Sequence, residues 1–236
     1  MNISIRPSIC VVITAFNEEP SLAEVVHEIG GELAKLGHAC EMLIVNDGSS
    51  DSTGAIADNL ALADGRIRVI HHPKNMGIGP VFLSGFEHCG MDLITYFPAD
   101  GQFPATIIPQ FMRHFVANET DMVLGYIENY EKSRSWLARF LSWGERVLVF
   151  VMFGNFPKFQ GIMMFRHKML ETINITSKGR GWIVQMEVII RFHRAGCRII
   201  REATLLRPRM SGTSKATNIR SVYSNLRQLF ALRLNM

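Results

Sequence analysis

A chain of 236 residues with 47% hydrophobic residues and a formal net charge of +4 can form one large domain with a sizeable core. This composition excludes an intrinsically disordered chain. Because the longest charge-free apolar run, residues 147–153, is far shorter than the ~20 residues of a membrane-spanning helix and no secretion signal follows Met1, we expect a cytoplasmic protein with reduced cysteines, soluble or peripheral on a membrane.

Strands and helices alternate through the first half of the chain. Short runs rich in β-branched residues predict strands, and apolar residues at helical spacing predict helices. The predicted elements are strand 8–14, helix 22–36, strand 41–45, a helix that carries Ile56 and Leu60, strand 66–71, a helix around 81–86, strand 93–97, helix 105–116 and strand 121–124. This alternation is typical of βαβ units and predicts an α/β fold with a mostly parallel sheet flanked by helices.

Boundary residues support these helices. Pro20 fits the first turn of the first helix, and Gly37 fits its end. Ser50 or Asp51 fits the N-terminal cap of the second helix, because short polar side chains accept hydrogen bonds from free backbone N–H groups.

The second half of the chain is less regular and ends in a basic segment. We predict helix 135–154, strand 159–165, helix 182–195, strand 198–204 and a helical tail over 218–234. No acidic residue follows Glu202, so the end of the chain suits an anionic partner. We divide the chain into a domain of residues 1–216 and a basic amphipathic C-terminal helix of residues 217–236. The predicted helix 135–154 and the helical tail both mix arginines with large apolar residues. Two interpretations stay open for them: contact with a membrane surface, or packing on the core or on a partner protein, which could anchor the chain to a membrane.

Three polar turns follow predicted strands and point to a ligand site. They are Asn17-Glu18, Asn46-Asp47 and Asp100-Gly-Gln102. In open α/β sheets, ligands bind at the carboxyl ends of the strands. We therefore expect the three turns to lie together at one edge of the sheet.

The sequence around these turns resembles that of family 2 glycosyltransferases. The segments Thr14-Ala-Phe-Asn-Glu18, Val45-Asn-Asp-Gly-Ser-Ser-Asp-Ser-Thr53, Asn75-Met-Gly-Ile-Gly79 and Pro98-Ala-Asp-Gly-Gln102 are similar, in this order, to P-x-Y-N-E, V-D-D-G-S-x-D-x-T, the N-x-G loop and D-A-D-x-Q. Near the end, Arg209-Met-Ser-Gly-Thr-Ser-Lys215 resembles R-x-x-G-x-S-K. This last element is typical of the polyprenyl-phosphate hexosyltransferase branch, which includes dolichyl-phosphate mannose synthase.

The resemblance implies a GT-A fold with a single Rossmann-like domain and a nucleotide-sugar donor. The residues implied in the nucleotide slot are Thr14, Phe16, Glu18, Val45, Asp47 and Ala99. Phe16 can pack on the base, while carboxylates can accept hydrogen bonds from base or ribose donors. The alternatives are core packing for Phe16 and a turn or capping role for Asp47.

The resemblance also implies a divalent cation, Mg²⁺ or Mn²⁺, bound by Asp100 and Gln102, with Asp100 as the catalytic residue. The cation would neutralise the charge that grows on the diphosphate leaving group. The alternative for Asp100 is a turn carboxylate that binds no ligand. Pro98 stands where the family usually has a first Asp, so this site has one carboxylate fewer, and Asn46 likewise replaces the first Asp of D-D-G-S.

A lipid phosphate acceptor needs cations and hydroxyls more than it needs a base, because the phosphate is already ionised. The residues predicted to hold it are Arg139, Arg209, Ser214 and Lys215. The alternative is a solvated basic loop. Glu187 lies where the family has a carboxylate that can act as a base for hydroxyl acceptors, and we leave it out of the catalytic set.

These observations predict an enzyme of glycan or cell-envelope biosynthesis. It moves a hexose, with metal assistance and inversion, from a GDP- or UDP-linked donor to a polyprenyl phosphate at the inner face of a membrane. One alternative is a family 2 transferase with a soluble sugar, glycan or natural-product acceptor. Another is a non-catalytic chain that binds a nucleotide-sugar or a partner protein. We expect no nucleic-acid partner, and we expect His71 and His72 to be structural or solvated.

Overall fold

Strands from both halves of the chain form one seven-stranded sheet in the computed structural model. The structure describes residues 6–116, 120–127, 144, 147–157, 159–208 and 219–236, with side chains in the last segment from residue 227 onward. The strands are β1 (Ile9–Ala15), β2 (Cys40–Asn46), β3 (Ile67–His71), β4 (Leu93–Pro98), β5 (Met122–Ile127), β6 (Met163–Arg166) and β7 (Ile199–Thr204).

The sheet is mostly parallel, as predicted. Its strand order is β3-β2-β1-β4-β6-β5-β7. Strands β1 to β4 run parallel to one another, and β5 is parallel to β7. Only β6, among the described strands, is antiparallel to its neighbours β4 and β5. Strand β1 lies between β2 and β4, so the carboxyl ends of these three parallel strands lie side by side.

Helices cover both faces of this sheet. They are α1 (Leu22–Leu36), α2 (Thr53–Ala63), α3 (Ile78–His88), α4 (Ile107–Val116), α5 (described part, residues 147–153), α6 (Ile183–Arg194) and α7 (Ile219–Leu234). A short 3-10 helix over His167–Thr172 was not predicted. Among the described helices, none combines the length and the apolar character needed to span a bilayer.

Strand β1 is buried on both faces, which explains its continuous apolar sequence. Ile9, Val11 and Ile13 point into the core beneath α1, α2 and α4. Cys10 and Val12 point into the opposite core beneath α3, α6 and α7. A central parallel strand requires apolar residues at every position, because side chains alternate between the faces.

The helix boundaries correct two details of the prediction. Helix α1 ends, as expected, at Gly37, whose positive φ of 62° suits glycine. Pro20 lies in the turn before the N-cap residue Ser21, so its placement in the first helical turn was wrong. In α2 the N-cap is Ser52, but Asp51 accepts the N–H of Thr53 at 3.0 Å and so satisfies one free donor.

The second half departs further from the prediction. Strand β6 begins later than residue 159, because Gly161 has a φ of 108° that interrupts an extended chain. Most of the predicted helix 135–154 lies outside the described residues, and its described part ends at Gly154, with a φ of 81°. The proposed boundary between residues 216 and 217 also lies outside them.

Candidate active site

The three polar turns begin at the same level of the sheet. In the register of the central strands, Thr14 pairs with Val45 on one side and with Pro98 on the other. The backbone continues this alignment past the strands, since Ala99 donates its N–H to the carbonyl of Thr14 at 3.0 Å. All three turns therefore leave the carboxyl edge of the sheet together, as the sequence predicted.

Reciprocal hydrogen bonds hold the first two turns together. The N–H of Asn17 donates to Ser49 Oγ at 2.9 Å, and the N–H of Ser50 donates to Asn17 Oδ1 at 2.9 Å. The N–H of Glu18 donates to Thr53 Oγ1 at 2.8 Å. Asn17 has a φ of 55°, a left-handed conformation that asparagine tolerates better than most residues. The segments 14–18 and 45–53, which resemble the first two family motifs, are therefore held together by hydrogen bonds.

The carboxylate of Asp47 holds the loop that precedes α3. Its Oδ1 accepts the N–H of Met76 at 2.9 Å, and its Oδ2 accepts the N–H of Gly77 at 2.8 Å. His72 contributes a third bond, with Nδ1 at 2.8 Å from Oδ1, and its Nε2 lies 2.9 Å from Ser84 Oγ. The structural role expected for His72 is therefore the support of a site residue, which the sequence did not reveal.

The side-chain amide of Asn46 stabilises the turn after β2, at the position where the family sequence has a carboxylate. Its Oδ1 accepts the N–H of Ser49 at 3.1 Å, as an aspartate could. Its Nδ2 lies 3.0 Å from Nδ1 of His71, whose Nε2 lies 2.9 Å from Asp58 Oδ1. His71 can accept from an amide while donating to Asp58, so the Asn46 substitution preserves the geometry of the turn.

Asp100 and Gln102 form the turn after β4. Asp100 is only 7% exposed, and its Oδ1 accepts the N–H of Gln102 at 3.1 Å across Gly101. The described residues contain no group of three His, Cys, Asp or Glu side chains that could hold a metal by themselves. Mg²⁺ sites often use one or two carboxylates together with substrate phosphates. One carboxylate and one amide oxygen fit such a partial ligand set.

The chain returns to this turn at the end of β7. Arg207 donates its N–H to the carbonyl of Gln102 at 2.7 Å. Its guanidinium lies 3.0 Å from Glu28, which also accepts the N–H of Ala105 at 3.1 Å. The segment that leads into Arg209 is therefore attached to the Asp100–Gln102 turn.

The predicted slot residues differ in their exposure. Thr14, Phe16 and Glu18 are half-buried at the edge of the sheet. Val45 and Ala99 are almost fully buried, so they support the floor of the site. Their contact with a nucleotide remains a prediction. The predicted acceptor residues lie outside the described part of the chain: Arg139, Arg209, Ser214 and Lys215.

Glu187 on α6 is fully buried and holds a loop. It accepts hydrogen bonds from the N–H groups of Thr176 at 2.9 Å and Ser177 at 2.7 Å, and it pairs with Arg191 Nε at 2.7 Å. Burial alone would raise the pKa of Glu187, but these hydrogen bonds outweigh it and lower the pKa below its ordinary value. A carboxylate whose oxygens already accept several hydrogen bonds, and whose pKa is lowered, is a poor proton acceptor.

The mostly parallel sheet with polar turns at its carboxyl edge is an α/β architecture of the kind that binds ligands beyond the strand ends. The family model for glycosyl transferase family 2 matches residues 10–173. This match spans more than half of the chain, including all three turns. The chain belongs to glycosyl transferase family 2 and is a glycosyltransferase.

Two curated relatives act on lipid-linked phosphates according to their names. Polyprenol monophosphomannose synthase from Mycolicibacterium smegmatis is 28% identical over 92% of this chain and 85% of its own length. Undecaprenyl-phosphate 4-deoxy-4-formamido-L-arabinose transferase from Salmonella paratyphi A is 35% identical over 44% of this chain, which is 32% of that protein. The predicted branch of the family therefore agrees with these relatives.

Solved structures of similar fold support the architecture. Glucosyl-3-phosphoglycerate synthase from Mycobacterium tuberculosis, in complex with Mn²⁺, UDP and glucosyl-3-phosphoglycerate, has a TM-score of 0.69 at 18% identity, covering 95% of this chain and 80% of that one. The same enzyme with phosphoglyceric acid has a TM-score of 0.70 at 19% identity, covering 97% and 79%. At this identity the similarity establishes the fold alone.

Proposed function

We propose that this glycosyltransferase moves a hexose from a GDP- or UDP-linked donor to a polyprenyl phosphate, with metal assistance and inversion at the anomeric carbon. The observation that carries the proposal is the hydrogen bond between the N–H of Arg207 and the carbonyl of Gln102, at 2.7 Å. It links the turn assigned to the donor diphosphate with the segment that leads to the basic acceptor motif. The name and 92% coverage of the mannose synthase relative support the same substrate classes.

The donor nucleotide would occupy the edge formed by the first two turns. Phe16 is half-buried at the edge of the sheet, and its ring would pack on the base. The turn after β1 and the turn after β2 are hydrogen-bonded to each other, so they lose less conformational entropy when a ligand binds. Glu18 would accept a hydrogen bond from the base or ribose, and Asp47 would hold the neighbouring loop while facing the same ligand.

Asp100 and Gln102 would hold the divalent cation. When bound, Mg²⁺ or Mn²⁺ neutralises negative charge on the departing diphosphate. Asp100 would contribute a carboxylate oxygen and Gln102 an amide oxygen. The hydrogen bond from the N–H of Gln102 to Oδ1 helps to fix the orientation of the Asp100 side chain within the turn.

The state of Glu187 supports a phosphate acceptor. A hydroxyl acceptor needs a base to take its proton, whereas an ionised phosphate does not. Glu187 is fully buried and paired with Arg191, so it is not available as that base. In the proposed step a phosphate oxygen of the lipid forms a bond to the anomeric carbon. The bond between the anomeric carbon and the diphosphate oxygen breaks, the nucleoside diphosphate leaves, and no proton has to move.

Helix α7 would bring the enzyme to the lipid. Leu229 and Leu232 are buried in the core, whereas Phe230 and Leu234, one turn apart, are exposed. The sequence of α7 contains three arginines and no acidic residue. An exposed apolar pair on a basic helix fits the interface of an anionic membrane. We propose a peripheral location on the inner face of a membrane, with residues 217–236 as the contacting helix.

The first experiment measures nucleotide binding by thermal shift. Wild-type protein is heated with UDP, GDP or TDP, each with and without Mn²⁺ or Mg²⁺. We expect a metal-dependent rise in Tm with UDP or GDP, because a ligand of the folded state stabilises it. Transfer from the matching nucleotide-hexose to a polyprenyl phosphate is then measured. Binding without transfer would favour the non-catalytic alternative, and no shift with any nucleotide would contradict the proposed function.

A further inference from the structure

Two loops from different halves of the chain pack backbone against backbone beside Asp47. The N–H of Gly79 lies 3.3 Å from the carbonyl of Arg180. A Cβ atom added to Gly79 would lie 1.9 Å from the carbonyl oxygen of Gly179, and one added to Gly77 would lie 2.5 Å from that of Arg180. The loop before α3 and the loop before α6 can approach this closely only because the contacting residues are glycines.

The loop before α6 has a rigid base. The buried carboxylate of Glu187 accepts the N–H groups of Thr176 and Ser177, and it is itself paired with Arg191. Arg180 follows this anchored segment and is exposed to solvent. Its position is therefore set by the backbone on both sides, while its side chain is free of the core.

The side chain of Arg180 clips the other loop. Its Nη2 donates to the main-chain carbonyl of Asn75 at 2.8 Å and to Asn75 Oδ1 at 2.7 Å. A guanidinium has only donors, so the amide oxygen of Asn75 must face Arg180 and its NH₂ group must face away. On the other side of the same loop, Asp47 accepts the N–H groups of Met76 and Gly77. The loop is thus held from two directions.

We propose that Arg180 is a positioning residue for the donor nucleotide. It orients Asn75 so that the amide NH₂ donates a hydrogen bond to an oxygen of the nucleotide, and it keeps the loop against Asp47. This inference rests on the proposed function, because it assigns the orientation of a group in the same donor site. It adds a residue from the second half of the chain to a site that the family segments assign to the first half.

The test compares four variants in the full chain. Arg180→Ala removes the clip, and Arg180→Lys keeps a cationic donor. Asn75→Asp keeps an oxygen for Arg180 but removes the amide NH₂. Arg194→Ala is the matched control, because it removes an exposed arginine from the last turn of α6. Kd is measured by calorimetry for UDP and for GDP with Mn²⁺, and KM and kcat are measured with the corresponding nucleotide-hexose.

We expect Arg180→Ala and Asn75→Asp to weaken nucleotide binding by about tenfold, which is the usual effect of one charge-assisted or ligand hydrogen bond. KM for the donor should rise with kcat unchanged. Arg180→Lys should recover part of the affinity, and Arg194→Ala should match the wild type. The proposal would be overturned if Arg180→Ala bound the nucleotide with the same Kd as the wild type. Losses of Tm and kcat in this variant without a change in Kd would overturn it as well.

Hydrogen exchange without ligand separates this inference from the proposed function. The amides of Met76 and Gly77 should exchange faster in Arg180→Ala but stay protected in Asn75→Asp, where a carboxylate would strengthen the clip. Unchanged exchange in Arg180→Ala would overturn the clip. If the wild type binds neither nucleotide, the proposed function fails and the role in donor binding fails with it, whatever the exchange result.

Discussion

His72 Nδ1 lies 2.8 Å from Oδ1 of Asp47, and both side chains are almost completely buried. The imidazole extends the support of Asp47 to helix α3, because its Nε2 lies 2.9 Å from the hydroxyl of Ser84. The carboxylate in turn accepts two backbone N–H groups from the loop that begins α3. Asp47, the residue directly after β2, therefore ties this strand to the loop that begins α3.

Replacing Asp47 with alanine should destabilise the protein and prevent nucleotide binding. Two part-buried backbone N–H groups and His72 would lose their acceptor, so the free energy of unfolding should fall by about 3 kcal/mol. Urea unfolding and thermal shift with nucleotide measure the two effects. Asp58→Ala is the control, because Asp58 pairs with His71 at the surface and should change stability by less than about 1 kcal/mol. Equal effects of both variants would contradict the role of Asp47.

Replacing Asp100 with asparagine should abolish transfer while the fold persists. Asparagine retains Oδ1, which can still accept the N–H of Gln102, but it lacks the charge that attracts a cation. The free energy of unfolding should change by about 1 kcal/mol or less. Transfer assays and urea unfolding test this expectation. Unchanged turnover in the variant would rule out both the metal-binding and the catalytic assignment of Asp100.

Replacing Pro98 with aspartate should strengthen metal binding. Pro98 pairs with Thr14 at the end of β4, two residues before Asp100, and the new side chain would restore the carboxylate usual in the family. An added charge near a cation contributes on the order of 1–4 kcal/mol, so affinity for Mn²⁺ should rise about tenfold or more. Titration with Mn²⁺ in the presence of nucleotide measures this change. Pro98→Asn controls for the altered backbone, and an equal gain in that variant would contradict a charge effect.

The lowered pKa of Glu187 predicts an acid-sensitive contribution to stability. Since its folded pKa lies below the ordinary value of about 4.5, the stabilisation is complete above that pH. It is lost as the pH falls below 4.5 and through the folded pKa. Glu187→Gln should cost about 3 kcal/mol at pH 7 and much less at low pH.

Urea unfolding between pH 7 and pH 3 tests this dependence. Glu32→Gln is the control, because Glu32 forms an i,i+3 pair with an exposed Lys35 and should have little effect at any pH. A constant difference between wild type and Glu187→Gln across the range would contradict the prediction.

Replacing Leu234 with serine should weaken binding to anionic vesicles. Leu234 on α7 is 87% exposed beside the basic residues of that helix. Leu62→Ser is a matched control, because Leu62 is equally exposed on α2, against the opposite face of the sheet. Co-sedimentation with vesicles containing phosphatidylglycerol, and with neutral vesicles, measures the change. Equal binding of both variants to anionic vesicles would argue against membrane contact through α7.

Much of the fold of the first half was predictable from local signals. Helix α1 ends at the predicted glycine and begins just after the predicted Pro20, and the first four strands agree to within one residue. These elements have continuous apolar strands or a clear helical stripe, bounded by glycine or polar turns. The second half was less predictable, because β6 is short, lies between distant strands and follows a glycine with positive φ.

The candidate site was only partly predictable. Its polar turns could be found because each follows a buried strand, and the parallel register then brings them together. The roles of His72 and Arg180 could not be found, because their partners are far away in the sequence. Asn75, for instance, lies 105 residues from Arg180.

The sequence alone determined the family, the α/β alternation and the three turns, since these depend on neighbouring residues and on the period of apolar side chains. Only the tertiary structure decided which groups complete the turns. The hydrogen bonds of Asp47, Glu187 and Arg180 join segments whose separation in the chain obeys no periodicity. Directional bonds of this kind depend on distances of about 3 Å. Those distances exist only after both cores have packed and brought the loops together.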